Sequence, residues 1–157
     1  MSSAWHQAGP YGAATRRRVG RVSVDSPNHN GLDAWAFEPR KVEKPWGHEL
    51  IWAEAEAYVG KLLFVKAGES LSLQFHRVKD ESWLVQDGRA RVELGSAGGA
   101  VLNEEVVRAG TCFRFRPGTV HRVTALEDTT ILEVSSPELE DVVRLEDRYG
   151  REGTSEP

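Results

Sequence analysis

In the run Leu71-Ser72-Leu73-Gln74-Phe75-His76, an extended chain turns alternate side chains to opposite faces, so Gln74 and His76 project to the same side. After four more residues Glu81 opens the run Ser82-Trp83-Leu84-Val85, which predicts a carboxylate at the start of the adjacent strand, facing back toward that pair. Forty residues later the segment Pro117-Gly118-Thr119-Val120 feeds His121 through a sharp turn into an otherwise apolar strand. Two imidazoles, a carboxylate and an amide oxygen form a donor set for one divalent ion, with one or two positions left for water or substrate. Gln74, His76, Glu81 and His121 are therefore the candidate metal ligands. Zinc is the first expectation, and Mn, Fe, Ni or Co suit the same donors. A neutral amide among the ligands withholds one negative charge relative to a carboxylate, which leaves a stronger Lewis acid for polarising a carbonyl or hydroxyl.

Further residues offer proton transfer and substrate recognition. Glu133 is an isolated acid in the apolar run Ile131-Leu132-Glu133-Val134, and a carboxylate in such a strand is costly unless it is used or paired. It is a candidate general base or one half of a structural ion pair. Lys61 shares a strand face with Leu63 and Val65 and either points into the core toward substrate oxygens or stands exposed at a strand end. A phosphate would call on cationic donors, of which Arg116, Arg122, Arg144 and Arg151 are available. Alternation from His121 turns Arg122 away from the metal, toward a rim, a neighbouring subunit or an acid such as Glu133 or Asp147. Trp83 lies on the same face as Glu81 and is expected to wall the cavity, by stacking on a sugar or by filling core volume. The one cysteine, Cys112, sits between Thr111 and Phe113 in an apolar run and is expected to be buried and inert.

The elements that must hold these groups are short runs of Val, Leu, Ile and Phe separated by turn signals every eight to twelve residues, the pattern of an antiparallel sandwich or barrel. Strands are predicted over Lys61–Lys66, Leu71–Phe75, Ser82–Gln86, Arg89–Leu94, Cys112–Arg116, Val120–Thr124, Thr129–Ser135 and Asp141–Leu145. Asp87-Gly88 reads as a tight hairpin turn between two of them, and Ser96-Ala97-Gly98-Gly99 and Arg116-Pro117-Gly118 as other turns. Residues 1–40 are rich in Gly, Pro, Ser, Asn and Ala without a sustained period and read as a poorly ordered arm carrying Arg16, Arg17, Arg18, Arg21, Trp35 and Phe37. The domain is expected over 41–150, with a disordered tail at 151–157.

The joint spacing resembles the cupin family. Its first motif runs Gly, five residues, His-x-His, four residues, Glu, six residues, Gly, and Gly68, Gln74, His76, Glu81 and Gly88 sit at those spacings. The second motif is matched by Gly110, Gly118 and His121, with Arg116 in the usual Pro place. Gln-x-His in place of His-x-His is the pattern of the phosphomannose isomerases. The resemblance extends along the C-terminal cupin domain of the bifunctional type II mannose-6-phosphate isomerases, through Lys44-Pro45-Trp46-Gly47, Leu71-Ser72-Leu73-Gln74, Glu81-Ser82-Trp83, His121-Arg122, Leu132-Glu133-Val134 and Asp141-Val142-Val143-Arg144. It implies an all-β double-stranded β-helix, or jelly-roll barrel, and a metal-dependent sugar or sugar-phosphate isomerase interconverting aldose and ketose. Glu133 or Lys61 would then move the proton, and Arg122, Arg116 and Trp83 would meet the substrate. Lys79, Ala125 and Ser135 depart from the family pattern, which keeps two alternatives open: a metal-containing cupin that binds a small metabolite without turnover, and a cupin dioxygenase.

Composition bounds the rest. The 157 residues carry 24 acidic against 20 basic side chains, a formal net charge of −4, so no nucleic-acid partner is expected. There is no apolar run of membrane-spanning length, no secretory-type apolar leader and no phosphate-cradling glycine loop, so a cytoplasmic location is expected, with no membrane partner. No nucleotidyltransferase segment is recognisable, and sugar-nucleotide synthesis is not expected. Jelly-roll domains commonly pair through their sheets, which predicts a homodimer.

Overall fold

Strand-period alternation of small apolar and polar residues, broken by glycine-bearing turns, gives an all-β architecture in the computed structural model, which describes residues 38–96, 103–151 and 153–154. The strands are β1 (Arg40–Lys44), β2 (Gly47–Glu54), β3 (Val59–Val65), β4 (Leu73–Phe75), β5 (Glu81–Asp87), β6 (Arg89–Ser96), β7 (Asn103–Arg108), β8 (Cys112–Phe115), β9 (Thr119–Ala125), β10 (Thr129–Ser135), β11 (Val143–Glu146) and β12 (Gly153–Thr154). They form two six-stranded antiparallel sheets, ordered β1-β2-β3-β10-β5-β8 and β12-β11-β4-β9-β6-β7. This is the expected jelly roll. Among the described residues there is no helix, and none that is long and apolar enough to cross a membrane.

The eight predicted strands are present, Thr129–Ser135 with the predicted ends and the others shifted, and four more accompany them. Residues in β1 and β7 are almost all exposed or half-buried, as befits sheet edges, so neither shows the apolar alternation that marks an inner strand. Gly153–Thr154, inside the segment read as a tail, pairs with Val143 and Arg144. The arm residues Trp35 and Phe37, like most of the Ser96-Ala97-Gly98-Gly99 turn, lie outside the described residues.

Two local expectations are corrected. Asp87-Gly88 is not a hairpin turn: β5 pairs with β10 and β8 in one sheet, whereas β6 pairs with β7 and β9 in the other, so the chain changes sheets at this corner. Gly88 turns it with φ +87°, and a Cβ there would stand 2.3 Å from the carbonyl oxygen of Asp128. Cys112 is exposed, because alternation along β8 puts it on the face of Arg114 and leaves the inward places to Phe113 and Phe115.

Inward-facing rows carry the core and the polar groups together. In the first sheet Leu63, Ile131 and Val85 form one row across β3, β10 and β5, and the next rung holds Lys61, Glu133 and Trp83. Ile131 has no exposed surface, and full burial of such a side chain contributes about 1.5–3 kcal/mol. At the other end of the barrel Val65, Val92, Val123 and Ala125 fill the interior with no ionisable group among them. The apolar rungs thus form a floor beneath the charged ones.

Arg122 and Glu93 face each other across β9 and β6, with Nε and Nη2 on the two carboxylate oxygens at 2.5 and 2.7 Å, while Nη1 reaches Glu146 of β11 at 2.9 Å. The guanidinium bonds hold the Glu93 carboxyl below the usual carboxylate range and outweigh its partial burial. A depressed carboxyl stabilises the fold above its unfolded-state value, about 4.3 for Glu, and loses that contribution as pH falls through the folded-state value. Melting temperature followed from pH 7 to pH 2 should therefore fall less steeply in Glu93→Gln than in the wild type. Gly88→Ala should destabilise by about 1–3 kcal/mol in a urea titration, from the positive φ and the Asp128 carbonyl.

Candidate metal centre

The candidate ligands reach one point from both sheets. Gln74 lies in β4 and is the register partner of His121 in β9, while His76 follows the end of β4. Glu81 is the first residue of β5 in the opposite sheet, so it faces the pair as expected but from across the barrel interior and not from the adjacent strand. The turn before β9 is tied to the first motif by Gly118, whose N–H donates to the His76 carbonyl at 2.8 Å with Gly118 at φ +83°. One ligand atom from each of His76, Glu81 and His121 lies within 4.8 Å of the other two. Glu81 Oε1 is 3.4 Å from His76 Nε2 and 3.0 Å from His121 Nε2, with all three side chains 2% exposed or less.

The ring nitrogens on the far side decide what these atoms can do. His121 Nδ1 faces the Thr119 carbonyl at 3.0 Å and His76 Nδ1 faces the Asp141 carbonyl, contacts that place the N–H of each neutral ring on Nδ1. Both Nε2 lone pairs then point at an anionic oxygen. His76 Nε2 and Glu81 Oε1 are buried and have no hydrogen-bond partner. Three lone-pair-bearing atoms in van der Waals range, sealed from water, repel one another unless a cation stands among them, so the residues fit a divalent ion. Gln74 adds a fourth donor when its amide is turned. As placed, its Nε2 faces His121 Nε2 at 3.5 Å while Ser72 Oγ bonds its Oε1 at 2.7 Å, and a hydroxyl accepts as readily as it donates in the reverse orientation.

An aromatic shell holds the His121 ring, with Phe115 stacked at 4.3 Å and the Trp83 edge at 5.3 Å between centroids. Trp83 is 3% exposed and packs against Phe115 at 4.7 Å as well, so it both walls the cavity and fills the core.

Lys79 is the residue the sequence reading passed over as a departure from the family pattern. It is buried, and its Nζ donates to Glu81 Oε2 at 2.5 Å and to Glu133 Oε1 at 2.8 Å. Burial opposes its charge, but the two carboxylates outweigh burial and raise its pKa above the ordinary lysine value. Burial likewise opposes the charge of Glu81, and the Lys79 ammonium on Oε2 favours the ionised carboxylate. With Oε2 occupied by Lys79, Glu81 presents Oε1 alone to the two imidazoles.

A cavity of about 230 Å³ opens beside this cluster. Lys61, Glu133 and Trp83 line it. Lys61 Nζ lies 4.0 Å from Glu133 Oε1 and 3.7 Å from Glu49 Oε2, so Glu133 stands between two lysines. Arg144 and Arg151 also line the cavity, joined by Arg40 and Lys44 from the β1 edge that the sequence reading did not resolve. Arg116 and Arg122 do not line it. Arg116 is exposed at the turn before β9, and alternation along β9 commits Arg122 to Glu93 and Glu146 on the outer side of its sheet, not to Glu133 or Asp147. Asp147 is instead taken by Arg151.

Removing the Lys79 charge leaves two buried carboxylates without a counter-ion. Lys79→Met should lower stability by about 3–5 kcal/mol, measured by chemical denaturation of the metal-free protein.

Comparison with known proteins bears on the family and the fold. Residues 33–147 match the family described as mannose-6-phosphate isomerase C-terminal. Mannose-1-phosphate guanylyltransferase ManC of Salmonella typhimurium is 37% identical over 116 residues, which are 71% of this chain and 23% of that protein. The chain spans about a quarter of the length of the curated relatives it matches. Among solved structures, the capsular polysaccharide assembling protein CapF of Staphylococcus aureus is similar with a TM-score of 0.60 at 16% identity, covering 71% of this chain and 34% of that one. An RmlC-like cupin from Shewanella frigidimarina is similar with a TM-score of 0.56 at 18% identity, covering 66% and 87%. These two likenesses show the cupin barrel, and the sequence match is the more specific finding: the chain belongs to the mannose-6-phosphate isomerase C-terminal family.

Proposed function

We propose that the chain is a metal-dependent isomerase of a sugar or sugar phosphate, of the mannose-6-phosphate isomerase type, interconverting an aldose and a ketose. The observation that carries this reading is the convergence of His76 Nε2, His121 Nε2 and Glu81 Oε1 beside a cavity walled by Arg40, Lys44, Lys61, Arg144 and Arg151. A divalent ion held by these three atoms and the Gln74 amide oxygen, zinc by first expectation, would supply the Lewis acid that polarises a sugar carbonyl and its neighbouring hydroxyl.

The chain's own groups account for the other requirements. Arginine and lysine on the cavity wall suit a phosphate, which takes several charge-assisted hydrogen bonds. Lys79 balances the charge of Glu81 and Glu133 so that the site keeps its anions in a buried setting. Lys61 Nζ stands beyond normal hydrogen-bond distance from both Glu49 and Glu133, which leaves it available to a substrate oxygen. Glu133, the other candidate for proton transfer, lies between Lys79 and Lys61, so a proton it takes from carbon would rest next to two ammonium groups.

The neutralisation of Glu133 by Lys79 favours a second reading, in which the domain binds its sugar without converting it. One measurement separates the two: proton NMR of the zinc-loaded protein with mannose 6-phosphate or fructose 6-phosphate in heavy water. The isomerase reading expects interconversion with deuterium entering at the carbon beside the carbonyl, stopped by a chelator and absent in His76→Ala. Saturable line broadening with neither product nor exchange would overturn it in favour of binding alone.

A further inference from the structure

The two candidate imidazole ligands are held in different ways. His121 directs its Nδ1–H to the carbonyl of Thr119, a residue of β9 that is itself paired with Ser96 of β6, so the acceptor is fixed by the sheet. His76 directs its Nδ1–H to the carbonyl of Asp141, which lies outside any strand, two residues before β11 begins. Among the described residues, the backbone-to-backbone hydrogen bonds next to Asp141 are local, with its own N–H on the Glu138 carbonyl at 3.3 Å and the Val142 N–H on the Glu140 carbonyl at 2.9 Å.

What ties this loop to the metal centre is the Asp141 side chain. Its Oδ1 accepts the Arg77 N–H at 3.1 Å, and its Oδ2 accepts the N–H groups of Val78 and Lys79 at 2.7 and 2.8 Å. One carboxylate thus takes three successive backbone donors immediately after His76, in the segment that carries Lys79 and leads into Glu81. We propose that Asp141 is a positioning residue of the centre: its carboxylate clamps the 77–79 backbone, and through that clamp its carbonyl is kept where it fixes His76 in the Nδ1–H tautomer.

The tautomer decides whether the centre exists. A proton on His76 Nε2 would point at Glu81 Oε1, 3.4 Å away, and would remove the lone pair that binds a metal. The same clamp sets Lys79, whose ammonium occupies Glu81 Oε2. Asp141 therefore shapes two groups around Glu81 without touching a substrate. The inference rests on the metal-centre reading of His76, Glu81 and His121 and does not need isomerase activity.

The test reads the metal-free protein first. Nitrogen-15 NMR of the histidine rings should show His76 of the wild type as a single Nδ1–H tautomer and His76 of Asp141→Ala as a mixture. Zinc affinity, measured by competition with a chromophoric chelator, should fall about 10–100-fold in Asp141→Ala. Asp141→Asn keeps one carbonyl oxygen for the clamp and should lose less. Glu138→Ala changes the same segment, where the Glu138 side chain accepts the Ser136 hydroxyl and its backbone carbonyl is kept in the variant, and should leave tautomer and affinity unchanged. The proposal is overturned if wild-type His76 carries its proton on Nε2, if Asp141→Ala keeps the wild-type tautomer, or if Glu138→Ala matches its loss of affinity. Should Asp141→Ala not fold, the wild-type tautomer and the Asn variant decide the matter. A wild type that takes up no zinc would refute the metal reading, and absence of sugar turnover would refute only the isomerase reading. The tautomer comparison stands apart from both.

Discussion

A buried anion needs matching positive charge, and the interior of this barrel is arranged around that requirement at Glu81. Its carboxylate is almost fully enclosed, with two imidazole lone pairs on one oxygen and the Lys79 ammonium on the other. Water cannot screen the group, so each neighbour has to be placed well: a solvated pair is worth little, whereas an unmatched buried charge costs several kcal/mol. Lys79 compensates one oxygen and Glu133 in turn compensates Lys79, which is why a second acid sits in the rung between Lys61 and Trp83. The remaining oxygen, facing two lone pairs, is the place where a cation belongs.

Much of this was legible in the sequence because strand geometry is simple. Alternation placed Gln74 with His76 and Trp83 with Glu81, and sent Arg122 to the other side of its sheet, without any knowledge of partners. The ligand spacing, read together with the flanking Leu-Ser-Leu-Gln and Glu-Ser-Trp runs, identified the barrel. Neighbourhood across the barrel could not be read that way. Glu81 follows His76 closely in the chain, yet it belongs to the facing sheet, and the glycine at 88 that suggests a hairpin is a corner between sheets. Which acid meets Arg122, and which cations line the cavity, depended on β1 and on pairings between distant strands.

Lys79 and Asp141 show a second limit. Each was visible, one as a departure from the family pattern and the other as part of an ordered motif, but neither type nor spacing disclosed a role. Lysine after an exposed Arg-Val pair is ordinarily a surface residue, and its burial follows only from the presence of two carboxylates to receive it. Asp141 acts through backbone groups, which carry no sequence signature.

The long separation of the paired strands bears on how the site comes into being. β3 and β10 are neighbours in the sheet although their paired residues are more than sixty positions apart along the chain, and the ligands arrive from β4, β5 and β9 in two different sheets. Pairings of this kind form late, because the entropy of closing a long loop is lost before any contact rewards it. Both imidazoles and the carboxylate meet only where the two sheets face each other, so a metal held by all three would report that the sheets have closed on one another.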